Sequence, residues 1–307
     1  MYWVLLFLIV VIVLPLLIAQ HRRYPMGRKA RKGVPGKFAK LPSGKTYYEW
    51  HGPINGPVAV CVHGLTTPSY VWRAVEHGLK MMDYRVLTYD LYGRGYSDRV
   101  RGRQDAEFFI TQLEELLEDQ EIDGGIMLMG YSMGGAIATC YAAKHPKMLE
   151  RMILVAPAGL GVSSDKLRDF IVKTPLIGDW MMMVFGGYLL RKGIRADAKI
   201  PSELPDIYAR QIDETYAQGF LPAVLSSMRN LLSKPLDKEH RAIARANIPV
   251  AAIWGEEDTI VPLSGLGKLT KLNRSVRQTM IPKAPHSLTY TYPQDVIKAI
   301  QDFLREV

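Results

Sequence analysis

The chain has 307 residues, 48% of them hydrophobic, so it is long and apolar enough to fold around a full core. Its formal net charge is +9 at pH 7, but residues 1–45 hold nine Lys and Arg side chains and no acid. The rest of the chain carries 30 basic and 30 acidic side chains, a balance that argues against a nucleic-acid partner. Two cysteines and no spaced Cys/His cluster argue against a disulfide framework and a metal site.

An uncharged apolar run, YWVLLFLIVVIVLPLLIA, occupies residues 2–19. Its eighteen residues would form about 27 Å of helix, close to the hydrocarbon thickness of a bilayer. The run predicts a transmembrane anchor at residues 1–20. A cleaved signal peptide is the alternative, but no basic residue precedes the run and Leu17 suits a cleavage site poorly.

A basic arm follows at residues 21–44. Because the nearby Lys and Arg all lie after the apolar run, the positive-inside rule predicts a single-pass protein with its N-terminus outside and its main domain in the cytoplasm. The arm is either a topology signal alone or a contact with anionic headgroups as well. If residues 1–19 are cleaved, the domain is instead secreted or periplasmic.

Short apolar runs ending in Gly, Asp or Ser recur along the remaining chain. Each predicts a strand buried on both faces, as in parallel sheets. These runs are residues 57–64, 84–90, 125–132, 152–158 and 249–256, with 276–284 as a further candidate. Residues 45–52 alternate in polarity and suit an antiparallel edge strand.

Helical patterns lie between these runs, at residues 105–122, 134–145 and 293–307. The alternation predicts an α/β domain with a doubly wound, mostly parallel sheet, its core at residues 45–160 and 241–307. Residues 161–240 show helical patterns, and no predicted buried strand interrupts them. They predict an inserted helical cap over the carboxyl edge of the sheet, where ligands bind in open α/β folds.

Ser132 stands between Gly130 and Gly134 in LMGYSMGGA, where a predicted strand meets a helix. So sharp a turn strains the serine backbone, and side chains two residues away on either side would collide. The turn directs the hydroxyl into the space above the sheet, which predicts Ser132 as a nucleophile.

A serine nucleophile needs a base, and the base needs an orienting carboxylate. His286 follows the last predicted strand and precedes the terminal helix, so it is the predicted base at the same sheet edge. Asp258 follows the preceding strand and is the predicted carboxylate. Glu256 and Glu257 are its nearby alternatives.

An oxyanion that develops on the substrate needs two fixed donors. The backbone N–H of Met133, directly after the nucleophile, is one predicted donor. The N–H of Leu65, in the turn after CVHG, is the other. His63 in that turn is predicted to brace it rather than to catalyse.

Five motifs, in the order of the chain, resemble the α/β-hydrolase superfamily over about residues 45–307. They are HGLTTPSYVW (63–72), DLYGRGYSD (90–98), GYSMGG (130–135), GEEDTIVP (255–262) and PHSL (285–288). The resemblance implies a Ser–Asp–His triad and structural roles for Asp90 and Arg94. Epoxide hydrolases and haloalkane dehalogenases resemble the chain too but use aspartate where Ser132 stands.

The resemblance implies acyl transfer to water through an acyl-enzyme, with no cofactor. A cap rich in Trp, Met and Phe beside an anchor favours a small-molecule or lipid ester substrate, as in membrane-anchored monoacylglycerol lipases and carboxylesterases. Hydrolysis of a thioester, an amide or a carbon–carbon bond is the alternative reaction. A membrane-bound binding protein without catalysis is the alternative class, and the oligomeric state is left open.

Overall fold

A computed structural model describes residues 2–161, 163 and 165–306, without the side chains of residues 4–6. The predicted anchor, cap and core also include Met1, Val162, Ser164 and Val307, which lie outside the described residues. Within the described part, eight strands form one sheet in the order β1-β2-β4-β3-β5-β6-β7-β8. They are β1 (Lys37–Leu41), β2 (Gly44–His51), β3 (Val58–Val62), β4 (Arg85–Tyr89), β5 (Ile126–Tyr131), β6 (Leu149–Val155), β7 (Val250–Gly255) and β8 (Arg277–Ile281).

Strands β3 to β8 run parallel, and β1 and β2 join them antiparallel at one end. The central strands are buried on both faces because helices cover both sides of the sheet. Along β3, Val60 and Val62 pack into one hydrophobic cluster, while Ala59 and Cys61 pack into the other. The predicted mostly parallel, doubly wound sheet is confirmed.

The outermost strand, β1, corrects the predicted extent of the basic arm. Residues 37–41 belong by sequence to the arm at 21–44, yet they pair with β2, which is therefore the second strand and not the edge. Ala39 and Leu41 are buried in the core while Lys37 and Lys40 face outward. Outward-facing lysines are typical of an edge strand. Here they made residues 37–41 look like part of the basic arm and hid the alternation of buried and exposed side chains.

The N-terminal segment is helical in three consecutive pieces: α1 (Tyr2–Leu8), a π-helical piece (Ile9–Val13) and α2 (Leu14–His21). In the described part of the chain, no helix is long and apolar enough to cross a membrane.

The later helices divide between the core and the inserted segment. Those of the core are α3 (Arg73–Met81), α4 (Ala106–Asp119), α5 (Met133–Lys144), α11 (Asp237–Arg245), α12 (Ser264–Leu272), α13 (Leu288–Thr291) and α14 (Pro293–Glu306). Those of the insertion, together with a π-helical piece (Met182–Gly186), are α6 (Lys166–Lys173), α7 (Ile177–Met181), α8 (Gly187–Asp197), α9 (Ile207–Glu214) and α10 (Phe220–Asn230). Helices α4, α5, α11 and α12 pack on one face of the sheet, and α3 and α14 on the other.

The inserted helices have a small hydrophobic cluster of their own. Its buried members include Met182, Phe220 and Val224, and Leu65 from the loop after β3 packs against them. The cap therefore rests directly on the loop that the sequence places at the catalytic edge of the sheet.

Candidate active site

The turn between β5 and α5 holds Ser132 at φ 54° and ψ −118°, in a region that residues other than glycine rarely adopt. A Cβ at Gly130 would lie 2.4 Å from the carbonyl oxygen of Gly134. A Cβ at Gly134 would lie 2.1 Å from the carbonyl oxygen of Val62, at the end of β3. The two glycines therefore let the backbone close tightly enough to present the serine at the sheet edge.

The structure brings the three predicted triad side chains together from three separate loops. His286 Nε2 lies 2.9 Å from Ser132 Oγ, and His286 Nδ1 lies 2.7 Å from Asp258 Oδ2. The other carboxylate oxygen of Asp258 accepts from the backbone N–H groups of Ile260 and Val261, each at 2.8 Å.

The Asp258 side chain is only 1% exposed, so its carboxylate is held away from water as well as in orientation. An ionised carboxylate accepts hydrogen bonds only, so His286 carries its proton on Nδ1 and presents Nε2 as an acceptor to the serine hydroxyl. This is the protonation state that a general base requires.

The two alternative acids lie elsewhere. Glu256 and Glu257 are both exposed, and Glu256 Oε2 accepts from the backbone N–H of Lys283 at 2.9 Å. Of the three acids that the sequence offered, the structure places Asp258 against His286.

The two predicted oxyanion donors belong to backbone segments next to Ser132. Met133 is the first residue of α5, so its N–H has no acceptor within the helix. The loop that carries Leu65 passes close to Ser132: a Cβ added to Gly64 would lie 3.3 Å from Ser132 Cβ. Both N–H groups thus belong to backbone next to Ser132.

His63 orients the peptide that bears the second predicted donor. Its Nε2 accepts from the N–H of Leu91 at 2.9 Å, so Nδ1 carries the proton and donates to the carbonyl oxygen of Gly64 at 2.8 Å. Burial lowers the pKa of His63 to about 3, which keeps the ring neutral near pH 7. The Gly64 carbonyl and the Leu65 N–H share one trans peptide, so holding the carbonyl fixes the direction of the N–H.

Arg94 links this loop to the cap. Its buried guanidinium donates from Nε to the carbonyl oxygen of Leu65 at 3.1 Å, and from Nη2 to Ser227 Oγ of α10 at 2.7 Å. Burial lowers the pKa of Arg94 to about 9, so the group is still charged near pH 7. Asp90 supports the neighbouring turn by accepting from the N–H groups of Ser69 and Tyr96 at 2.9 and 2.8 Å.

Tyr131 is a site residue that the sequence analysis missed. Its hydroxyl donates to the backbone carbonyl of His286 at 2.9 Å, and the two rings lie 5.3 Å apart. It occupies the variable position of Gly-x-Ser-x-Gly, where the motif carries no signal for a particular side chain. The contact joins β5 to the loop of His286 directly beside Ser132.

The two cysteines lie in the core. Cys61 in β3 and Cys140 in α5 are buried thiols, and burial raises the pKa of both. Among the described residues, no group of three or more His, Cys, Asp or Glu side chains could hold a metal ion. The expectation that no cofactor is needed stays a prediction.

Comparison with known proteins adds two sequence relatives. Monoacylglycerol lipase ABHD6 of Homo sapiens is 29% identical over 279 residues, 85% of this chain and 79% of its own. Uncharacterized protein Rv2715 of Mycobacterium tuberculosis is 24% identical over 222 residues, 68% of this chain. The chain spans 64% of the length of that mycobacterial relative.

The enol-lactonase from Burkholderia xenovorans LB400 has a similar crystal structure, with a TM-score of 0.74 at 20% identity over 88% of this chain and 100% of that chain. At this identity, the likeness shows the fold. The family model described as "alpha/beta hydrolase fold" matches residues 57–292, most of the chain. The chain therefore belongs to the α/β-hydrolase fold family.

Proposed function

We propose that this α/β hydrolase is a serine hydrolase that cleaves a carboxylic ester, with a lipid-like or otherwise apolar acyl group in its substrate. The observation that carries the proposal is the series Ser132–His286–Asp258. His286 Nε2 lies 2.9 Å from Ser132 Oγ, and His286 Nδ1 lies 2.7 Å from Asp258 Oδ2. A serine, a base and a buried acid in this order are the parts that acyl transfer to water needs.

In the proposed reaction, Ser132 Oγ attacks the ester carbonyl while His286 Nε2 takes the hydroxyl proton. The N–H groups of Met133 and Leu65 stabilise the negative oxygen of the tetrahedral intermediate. His286 then gives its proton to the leaving alkoxide, which releases the alcohol and leaves an acyl-enzyme. A water molecule then attacks the acyl carbonyl while His286 Nε2 takes its proton. The bond between Ser132 Oγ and the acyl carbon breaks, the carboxylic acid leaves, and His286 returns the proton to Ser132 Oγ. Asp258 holds the imidazole throughout.

The apolar character of the cap supports an apolar substrate. Six large apolar side chains of the cap lie exposed within a short stretch of sequence. They are Leu167, Phe170, Leu176, Ile177, Phe185 and Tyr188. Exposed apolar clusters of this kind mark surfaces that meet lipid, a ligand or another protein. The relative named monoacylglycerol lipase, 29% identical to this chain, supports the same substrate class.

The turn before α7 holds one of these side chains outward. Leu176 is 84% exposed at φ 64°, and its N–H donates to Asp179 Oδ2 at 2.9 Å. Arg229 of α10 binds both oxygens of Asp179, at 2.8 and 2.9 Å. An ion pair thus supports an unfavourable backbone geometry that presents a leucine to the surroundings, which favours contact between this turn and lipid.

We further propose that residues 2–19 anchor the protein in a membrane, with the N-terminus outside and the catalytic domain in the cytoplasm. The large apolar side chains of that segment that face outward are between 42% and 84% exposed. The indole Nε1 of Trp180, close to Leu176 in the chain, donates to the carbonyl oxygen of Ile12 at 2.9 Å. In the structure this contact holds the apolar segment against the cap, and insertion of residues 2–19 across a bilayer would break it, because Ile12 lies near the middle of that segment.

The test is hydrolysis of p-nitrophenyl esters from acetyl to palmitoyl by the full chain in detergent, with Ser132→Ala as the inactive variant. Ser264→Ala, at an exposed serine, is the matched control. We expect activity that peaks at medium or long acyl chains and is lost in Ser132→Ala only. A peak at acetyl would contradict the apolar substrate. A folded, inactive wild type that still reacts with a fluorophosphonate would move the proposal to a thioester, amide or carbon–carbon bond.

A further inference from the structure

Gln211, in helix α9 of the cap, forms hydrogen bonds with two separate segments of the core. Its Nε2 donates to Thr67 Oγ1 at 3.0 Å and to the hydroxyl oxygen of Tyr290 at 3.2 Å. All three residues are buried. A primary amide has two N–H donors, so these two bonds use both of them.

Each of the two acceptors lies close in the chain to a residue of the candidate site. Thr67 comes two residues after Leu65, whose N–H is a predicted oxyanion donor. Tyr290 comes four residues after His286 and belongs to the short helix α13. The amide of Gln211 therefore bridges the Leu65 loop (residues 63–69) and the His286 segment (residues 285–292).

The cap also holds the backbone of Tyr290. Ser202 Oγ donates to the carbonyl oxygen of Tyr290 at 3.2 Å, and the N–H of Glu203 donates to the same oxygen at 2.9 Å. Both donors come from the stretch between α8 and α9. The ring of Tyr208, in α9, lies 6.0 Å from the ring of Tyr290 and nearly perpendicular to it. These contacts fix the His286 segment against α9.

The Leu65 loop is restrained from two directions. Arg94 donates to the carbonyl oxygen of Leu65 at 3.1 Å, and Gln211 donates to the side chain of Thr67. The two bonds hold the loop on either side of Thr66, directly after the predicted oxyanion donor. Removal of the amide would leave only the bond from Arg94 of these two.

We propose that Gln211 is a positioning residue for the proposed reaction. It holds the Leu65 loop and the His286 segment at a fixed separation, and it makes that separation depend on a seated cap. The inference rests on the proposed function, since it assigns no new reaction. Oxyanion donors act only when they point at the place where the negative oxygen develops, so a small displacement between the two segments slows the chemical step. Substrate binding depends less on that separation, because the charge on the oxygen appears only after the attack.

The test compares variants of the full chain in detergent. Gln211→Met removes both donors and keeps the approximate length of the side chain. Thr67→Val with Tyr290→Phe, the acceptor variant, removes the two acceptors instead. Gln218→Met is the matched control, because Gln218 also joins the cap to another segment, through a bond from its Nε2 to the carbonyl oxygen of Arg23 at 3.2 Å.

Two reactions are measured, with Tm as the check of the fold. One is hydrolysis of a medium-chain p-nitrophenyl ester, as kcat and KM. The other is labelling by a fluorophosphonate, in which Ser132 Oγ displaces fluoride from phosphorus while His286 takes the hydroxyl proton. We expect Gln211→Met to lower kcat and the labelling rate by about tenfold to a hundredfold, and to change KM by less than about threefold.

The control and the acceptor variant separate positioning from simple attachment of the cap. Gln218→Met should keep both rates close to those of the wild type. The acceptor variant should be slowed as much as Gln211→Met, and the triple variant no further, because all three lack the same two bonds. If Gln211→Met does not fold, the acceptor variant decides, and an unchanged kcat in it would overturn the inference.

The outcomes also distinguish this inference from the proposed function. Equal labelling rates for the wild type and Gln211→Met would overturn the inference and leave the proposed function standing. An equal loss in Gln218→Met, or losses that multiply in the triple variant, would overturn it as well. A folded wild type that does not react with the fluorophosphonate would overturn the proposed function, and the inference with it.

Discussion

Arg94 donates to the carbonyl oxygen of Leu65 at 3.1 Å, so a buried guanidinium holds the loop that carries an expected oxyanion donor. The same side chain reaches α10 of the cap through Ser227 Oγ at 2.7 Å. Arg94 therefore binds both the cap and the loop that carries the expected oxyanion donor.

Replacement of Arg94 by Lys should lower kcat more than it raises KM. Lysine keeps the charge but has no planar fork, so it cannot bond the Leu65 carbonyl and α10 together. We expect a loss of about tenfold to a hundredfold in kcat/KM, smaller than the loss of about a hundredfold to a thousandfold when an oxyanion donor is removed. Steady-state kinetics with a medium-chain ester measures this, with exposed Arg101→Lys as the control. An unchanged kcat in folded Arg94→Lys would argue that the loop holds its shape without the guanidinium.

Asp258→Asn should abolish most of the activity and leave the fold intact. The amide would still accept the backbone N–H groups of Ile260 and Val261 through its oxygen, while its NH₂ group faces His286. That group would donate to His286 Nδ1 and favour the wrong tautomer. We expect kcat to fall by about 10⁴. Glu257→Gln, at an exposed neighbouring acid, serves as the comparison, and a similar loss in that variant would cast doubt on the assignment of Asp258.

His240 should make the free energy of unfolding depend on pH. The side chain is 2% exposed, and burial lowers its pKa to about 4, below the ordinary value of 6.5. Between these two values the unfolded chain binds more protons than the folded chain, so stability falls as the pH falls. Relative to His240→Gln, the wild type should lose about 3 kcal/mol between pH 7 and pH 4. Urea denaturation across this range measures the difference, and parallel curves for the two proteins would contradict it.

A charge at the exposed turn of the cap should separate activity on membranes from activity in solution. Leu176→Glu changes a side chain that is 84% exposed, so we expect no loss of fold or of activity on a soluble ester. Activity on an ester embedded in vesicles should fall about tenfold, because a carboxylate enters lipid unfavourably. Ile54→Glu, at another exposed apolar residue, is the control. An equal rate on vesicles for all three proteins would count against contact between this turn and lipid.

The local parts of the candidate site could be predicted from the sequence because neighbouring residues specify them. Gly130, Ser132 and Gly134 make a turn that few other residues permit. His286 and Asp258 follow predicted parallel strands, whose carboxyl ends meet at one edge of the sheet. The parallel order of the sheet followed from runs of apolar residues buried on both faces. Their catalytic roles stay predictions until activity is measured.

Tertiary contacts decided what neighbouring residues do not encode. Strand β1 forms because Ala39 and Leu41 pack into the hydrophobic core, although the lysines around them predicted a basic arm. The bond from Arg94 to Ser227 joins residues 133 positions apart, and that from Tyr131 to His286 joins residues 155 apart. Periodicity and motifs act over a few residues, whereas these features depend on which distant side chains the fold places within hydrogen-bond or packing distance.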